Sequence, residues 1–341
     1  MSARIYLDVH GGDRAPHCNL DGVLKAAPHL KSEVVLVGKP KEIQSYIKAK
    51  GSPKELTSCL ISPSEEVIGM HEKPLESIRK KRDASLPMAC RLASENRENS
   101  AALSAGNSGA ILAASLKYFG RVPEVERPAI AVLFPTLNDR TLVLDVGANS
   151  ENKASHLVSF ARLGSQYMRV VEDRTHPKVG LISNGEETSK GNTLTQKTHE
   201  RLKECKDLNY FGYVEGNKIF SGDFDVMITD GFTGNALLKT SEGLAKTILL
   251  LLKEEIQNSL PARLGYFFLK PALNRFRKKV DYKEIGAAPL LGVNGLSFVA
   301  HGRSDHVAIA SALKQIDLAI QLNLYHAFFN GKTEEAKRAQ H

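Results

Sequence analysis

The sequence predicts an α/β fold, a largely parallel sheet sandwiched between helices. Short β-branched runs alternate with longer helical patterns along the chain. The strand-like runs are continuously apolar, as happens when both faces of a sheet are covered. Several of them end in a corner of glycine, asparagine and aspartate just before a helix.

In order, the predicted strands are 5–9 (IYLDV), 33–38 (EVVLVG), 57–62 (TSCLIS), 101–105 (AALSA), 129–135 (AIAVLFP), 141–146 (TLVLDV), 178–183 (KVGLIS), 208–214 (LNYFGYV) and 225–229 (DVMIT). Helical patterns between them include 84–97, 108–118, 153–172, 192–206 and 235–257. There is no repeat, low-complexity segment or linker. Residues 1–330 therefore read as one domain with a helical hairpin at 236–282, and 331–341 (GKTEEAKRAQH) as a polar tail.

Composition narrows the function. With 341 residues, 42% hydrophobic and 25% charged, the chain can bury a substantial core. Cys18, Cys59, Cys90 and Cys205 are scattered, which fits free thiols in a reducing cytoplasm. No signal-peptide region precedes the first strand, and no apolar run approaches the ~20 residues that span a bilayer. The expectation is a cytoplasmic protein, at most peripherally membrane-associated. A net charge of +8 favours an acidic partner. Nucleic acid is the weakest candidate, because tryptophan is absent and no basic–aromatic interleaving occurs.

The corners carry the functional signal. They are "DVHGGDRAP" with Asp8, Gly11, Gly12 and Asp13; "LSAGNSGA" with Ser104, Gly106, Asn107, Ser108 and Gly109; "LDVGANS" with Asp145, Gly147 and Asn149; "KGNTLTQ" with Lys190, Gly191 and Asn192; and "DGFTGNALLKTSEGL" with Asp230, Gly231, Thr233, Gly234 and Asn235. Glycine admits a ligand close to the backbone, and a helix N-terminus offers unpaired N–H groups to an anion. Asparagine adds a donor without charge. One such corner is an ordinary βα turn, but several in one sheet are expected to converge outside the strand ends on a compact anion, with phosphate the best fit. Asp8, Asp145 and Asp230 read either as helix caps or as groups that orient donors.

Other chemistries fail on spelling. No G-x-G-x-x-G follows the first strand, and the G-K-T at 331–333 has His326 where a Walker loop needs glycine. Neither H-E-x-x-H nor G-x-S-x-G occurs. The histidines form no metal-like cluster, and His301 and His306 in "HGRSDH" read as a turn and helix cap.

Together these corners resemble those of a known family, the bacterial phosphate acyltransferases of phospholipid synthesis (acyl-acyl-carrier-protein:phosphate acyltransferase, PlsX). The family's D-A-M-G-G-D-H-A-P corresponds to "DVHGGDRAP", S-A-G-N-T-G-A to "SAGNSGA" and D-x-G-A-N to "DVGAN". "GEETSKGN", "TDGFTGN", "GAAPLLGVNG" and "AHGRSD" complete a match running from residue 5 to about 325. His10, Arg14, Ala287 and Arg303 depart from the family's usual residues, and none touches the "KGN" or "TGN" corners.

The resemblance implies a three-layer α/β/α homodimer like isocitrate and isopropylmalate dehydrogenases. The implied reaction converts an acyl-carrier-protein thioester and inorganic phosphate to acyl phosphate and free carrier protein. Lys190 and Asn235 are implied as catalytic, with neither cofactor nor metal. Phosphate is already anionic, so no activated serine or cysteine is needed, only positioning and oxyanion stabilisation. Acyl carrier protein is acidic, which makes Arg79, Lys80, Lys81 and Arg82 a candidate docking run, or else a solvated face. Leu260, Leu264, Phe267 and Phe268 recur at helical spacing beside Arg263, Lys270, Arg275, Arg277, Lys278 and Lys279. That pattern suits contact with an anionic membrane surface, next to a membrane enzyme that would pass the acyl group to glycerol 3-phosphate. The plainer reading is a hairpin buried between subunits. Competing functions are a phosphotransacetylase acting on acyl-coenzyme A, a nicotinamide-dependent dehydrogenase of the same fold, and a non-catalytic anion-binding scaffold.

Overall fold

The structure is a computed structural model that describes residues 2–280 and 286–328, except the side chains at 274 and 277–280. The tail from 331 lies outside the described residues, as do the side chains of Arg277, Lys278 and Lys279.

The strands are β1 (Arg4–Asp8), β2 (Glu33–Gly38), β3 (Leu60–Pro63), β4 (Ser100–Ser104), β5 (Ala129–Pro135), β6 (Arg140–Leu144), β7 (Lys178–Ser183), β8 (Asn209–Glu215), β9 (Val226–Ile228), β10 (Ala288–Leu291) and β11 (Leu296–Val299). The helices are α1 (His17–Ala26), α2 (Pro40–Ala49), α3 (Lys54–Thr57), α4 (Pro74–Lys80), α5 (Ser85–Glu95), α6 (Ser108–Tyr118), α7 (Ala154–Val171), α8 (Thr193–Glu204), α9 (Gly231–Asn258), α10 (Leu260–Val280) and α11 (His306–Gln321).

All nine strands read from the sequence are present. The third begins later than expected because residues 54–57 close a helical turn behind Pro53. Two strands escaped the sequence reading, β10 and β11. At four residues each they are too short for period to tell from a turn.

The sheet order is β3-β2-β1-β4-β11-β10-β5-β6-β9-β7-β8. Successive residues of β1 serve opposite faces, with Ile5 and Leu7 in one apolar cluster and Tyr6 in the other. The first cluster takes in α1, α2, α7, α8 and α11, and the second α5, α6 and the start of α9. This is the three-layer sandwich.

The sheet is not uniformly parallel. Strands β3, β2, β1, β4 and β11 form one parallel block, and β6, β9, β7 and β8 another. Antiparallel pairings at β11–β10, β10–β5 and β5–β6 separate them, so the blocks run in opposite senses. Six steps of the sheet order lead from β1 to β9. At ~20–25° of twist per step the accumulated rotation is roughly 120–150°, which turns the carboxyl ends of one block back toward the other.

Candidate active site

The corners fall into two sets. "HGGD" and "SAGN" follow β1 and β4 in the first block, while "VGAN", "KGN" and "TGN" follow β6, β7 and β9 in the second. These last three strands are neighbours and parallel, so their corners share one edge.

In the first set, the buried Asp8 accepts from Ser104 Oγ at 2.7 Å and from the backbone N–H of His10 at 3.2 Å. Burial raises its carboxyl, against these hydrogen bonds. Gly106 donates its N–H to Ser104 Oγ. A Cβ on Gly11 would lie 2.6 Å from Asp8 Oδ2 and 2.7 Å from Ser104 Oγ, so glycine there lets the two turns touch. Gly12 has φ +104°, and Asp13 donates its N–H to the Gly302 carbonyl at 2.8 Å. His10 is also held: its Nε2 accepts from the Lys39 N–H at 3.0 Å.

In the second set, Asp145 is fully buried. Its Oδ1 accepts from the N–H groups of Ile130, Gly147 and Ala148, and its Oδ2 from the N–H and side-chain amide of Asn149. Burial raises this carboxyl and the five donors oppose it. The aspartate organises the turn. Asp230 caps α9, taking the Thr233 N–H and hydroxyl at 2.9 and 2.7 Å. A Cβ on Gly231 would come within 2.1 Å of the Asn149 carbonyl oxygen, and one on Gly234 within 1.9 Å of that of Asp145. Both glycines therefore let α9 rest on the "VGAN" turn.

Four asparagines occupy the corners; two spend their amide donors on the fold, and a third spends only its side-chain oxygen. Asn107 caps α6 and donates to the Met70 and Glu72 carbonyls at 2.9 and 3.0 Å. Asn149 donates to the Pro128 carbonyl and to Asp145. Asn192 caps α8 by accepting the Thr195 N–H at 2.9 Å. Asn235 differs. It is exposed, lies over Gly147, and its amide bonds to no described residue.

Lys190 is exposed in the loop after β7, with its stem over Gly185 and its ammonium unpaired among the described residues. Gly191 adopts φ +89° and donates to Asn184 Oδ1 at 2.8 Å, which shapes the loop. Asn184 was missed in the sequence, since nothing local signals a bond seven residues ahead. Backbone N–H groups remain at the starts of α6 and α8, where Ser108 is exposed and Gly109 half-buried.

None of the four thiols is a ready nucleophile. Burial pushes Cys18 and Cys59 up to about 11 and Cys90 up to about 12, and raises Cys205. What the second edge can do chemically is hold a small anion beside one amide and one ammonium.

The profile of the family described as "fatty acid synthesis protein" matches residues 3–326. A phosphate acyltransferase from Citrifermentans bemidjiense is 46% identical over 311 residues, covering 91% of this chain and 87% of that protein. The chain belongs to the phosphate acyltransferase family. A phosphate acyltransferase from Thermodesulfovibrio yellowstonii is 40% identical over 339 residues, 99% of this chain and 97% of its own. In fold the chain resembles a phosphotransacetylase from Streptococcus pyogenes (TM-score 0.63, 15% identity, 96% of this chain and 94% of that one). It also resembles a 4-hydroxythreonine-4-phosphate dehydrogenase from Klebsiella pneumoniae (TM-score 0.52, 13% identity, 96% and 98%). For a phosphate acyltransferase, acyl transfer involving phosphate is the activity class.

The remaining sequence candidates sit elsewhere. Arg79 and Lys80 end α4, and with Arg82 they are exposed. Lys81 is about a third exposed and paired: its Nζ is 2.6 Å from Glu72 Oε1 and 3.0 Å from the Val67 carbonyl. Leu260, Leu264, Phe267 and Phe268 lie along α10 and are 72–81% exposed. Leu244, Ile248, Leu250 and Leu251 of α9 are exposed as well. No helix among the described residues is long and apolar enough to cross a membrane.

Proposed function

We propose that this protein transfers the acyl group of an acyl-carrier-protein thioester to inorganic phosphate, in phospholipid synthesis. Asn235 and Lys190 are its catalytic residues. The observation that carries the reading is that these two donors, on adjacent strand ends, have no partner among the described residues, while Asn107, Asn149 and Asn192 each give at least the oxygen or the nitrogen of their amide to the fold. A phosphate oxygen attacks the thioester carbonyl and forms the C–O bond. The C–S bond breaks, and the thiolate leaves with the carrier and takes up a proton. Lys190 and Asn235 between them neutralise phosphate and donate to the oxyanion as it forms.

Carrier docking through Arg79, Lys80 and Arg82 is supported by their exposure and by the chain's net charge of +8. Exposed apolar rows on α9 and α10 support a homodimer joined through the hairpin. The tip residues Leu260, Leu264, Phe267 and Phe268 support reversible attachment to an anionic membrane, beside the enzyme that consumes the product. On this reading the protein is cytoplasmic and peripheral to the membrane.

The test is to incubate the protein with palmitoyl carrier protein, with and without phosphate, and titrate released thiol. Phosphate-dependent release is expected. Release from acyl-coenzyme A in preference to the carrier would replace this substrate assignment with a phosphotransacetylase, and no release from either would remove the reading.

A further inference from the structure

The turn after β1 and the turn after β11 touch. Asp13 donates its backbone N–H to the Gly302 carbonyl at 2.8 Å, and the Cys18 thiol donates to the Ser304 carbonyl at 3.0 Å. A third bond, from the Ala300 N–H to the Ser104 carbonyl at 2.9 Å, ties the second turn to the "SAGN" corner. Each turn carries an arginine immediately after its bonded residue, Arg14 beside Asp13 and Arg303 beside Gly302. Both are exposed, and neither guanidinium has an ion pair or side-chain hydrogen bond among the described residues. Asp13 is exposed there too, and its carboxylate pairs with neither arginine. Two like charges set side by side on bonded turns repel, and an anion between them relieves the repulsion. Both arginines stand where the chain departs from its family's usual residues, so the pair is an addition to the corners rather than part of their shared spelling.

The pair lies beyond the reach of a phosphate ion held at Asn235. Lys239 follows Asn235 by four residues, about 6 Å along α9, and its Nζ lies 3.2 Å from Nε2 of His301, two residues before Arg303. A ligand that meets both Asn235 and the arginines is therefore an extended one. The carrier's prosthetic arm has that shape, with the thioester at one end and a phosphodiester at the other. We propose that Arg14 and Arg303 clamp this phosphodiester, so that the arm runs from the arginines past Lys239 and delivers its thioester to Asn235. The proposal rests on the acyl-carrier reading above. Arginine suits the task, because its planar fork offers two parallel donors to a phosphate and is always charged. Both side chains are exposed, so salt screens the contact, and it contributes binding rather than chemistry.

Thiol release by the full-length protein from three palmitoyl thioesters tests this: those of carrier protein, of phosphopantetheine, and of pantetheine, which lacks the phosphate. Wild type should use the phosphopantetheine thioester at least about tenfold more efficiently, in kcat/KM, than the pantetheine one. Arg14→Gln combined with Arg303→Gln should erase that preference through KM. Arg14→Lys combined with Arg303→Lys should restore part of it, supplying the charge without the fork. Neither arginine side chain bonds to a described residue, so the thermal unfolding midpoint should not move. The proposal is overturned if wild type shows no preference for the phosphorylated arm, or if the glutamine variant keeps it. A KM rise for carrier protein alone would assign the arginines to the carrier's protein surface, and one for inorganic phosphate alone to the other substrate. Either result also overturns the clamp. Should wild type release no thiol from any of the three, the acyl-transfer reading fails, and calorimetric binding of phosphopantetheine against pantetheine decides the clamp alone. Tighter binding of phosphopantetheine that the glutamine variant loses keeps it, and equal binding removes it.

Discussion

Asn235 is the residue on which the proposed chemistry depends most, because neither the oxygen nor the nitrogen of its amide bonds to a described residue. Replacing it by alanine, or Lys190 by alanine, should lower turnover by at least about 100-fold, the usual cost of an oxyanion donor. The thermal unfolding midpoint should stay at the wild-type value, since neither side chain bonds to a described residue. Near-normal thiol release from either folded variant would move the chemistry elsewhere. Gly234 fails differently. A Cβ there would sit 1.9 Å from the Asp145 carbonyl oxygen, which is backbone and cannot rotate away. Gly234→Ala should therefore destabilise the protein by at least about 3 kcal/mol in urea unfolding. An unchanged midpoint would mean that α9 does not rest on the "VGAN" turn. Both residues belong to one motif of the sequence, yet the role proposed for one is chemical and that of the other is steric.

At the scale of elements, two segments deserve separate experiments. The loop 64–84 is tied down by Glu72, which takes Lys81 Nζ, the Gly69 N–H and Ser77 Oγ. These partners, Lys81 first, lower its carboxyl from 4.5 to about 2. A depressed folded pKa gives stability that is complete above 4.5 and lost as pH falls toward about 2. The pair is a third exposed, so the contribution is screened and modest. Glu72→Gln should flatten the acid limb of a plot of unfolding midpoint against pH in that window, and an identical limb would show the tie to be idle. The hairpin is the second segment. Leu264→Glu combined with Phe268→Glu should abolish sedimentation with anionic vesicles while phosphate-dependent thiol release continues. A variant that still sediments places the anchor elsewhere, and one that turns monomeric makes the segment a subunit interface.

For the molecule as a whole, charge and twist matter most. Changing Arg79, Lys80 and Arg82 to glutamate lowers the net charge of +8 by six and should raise the KM for carrier protein while flattening its salt dependence. The phosphate KM should hold, and an unaffected carrier KM would reduce the run to a solvated face. Lys81 is left out because it belongs to Glu72. The sheet's twist brings corners on oppositely directed blocks toward each other, and α9 spans the gap from Gly147 to His301. The sequence by itself determined the α/β class, nine of the strands and the corners that mark the family, because period, apolar runs and glycine–asparagine turns are local signals. It could not separate the corner residues by role. Asn107 is occupied by carbonyls at 70 and 72, Asn149 by Pro128, and Gly231 and Gly234 answer to a turn some 80 residues upstream. Only the tertiary structure decided which donors stayed free, because a hydrogen bond is settled by proximity in space and those partners are remote along the chain.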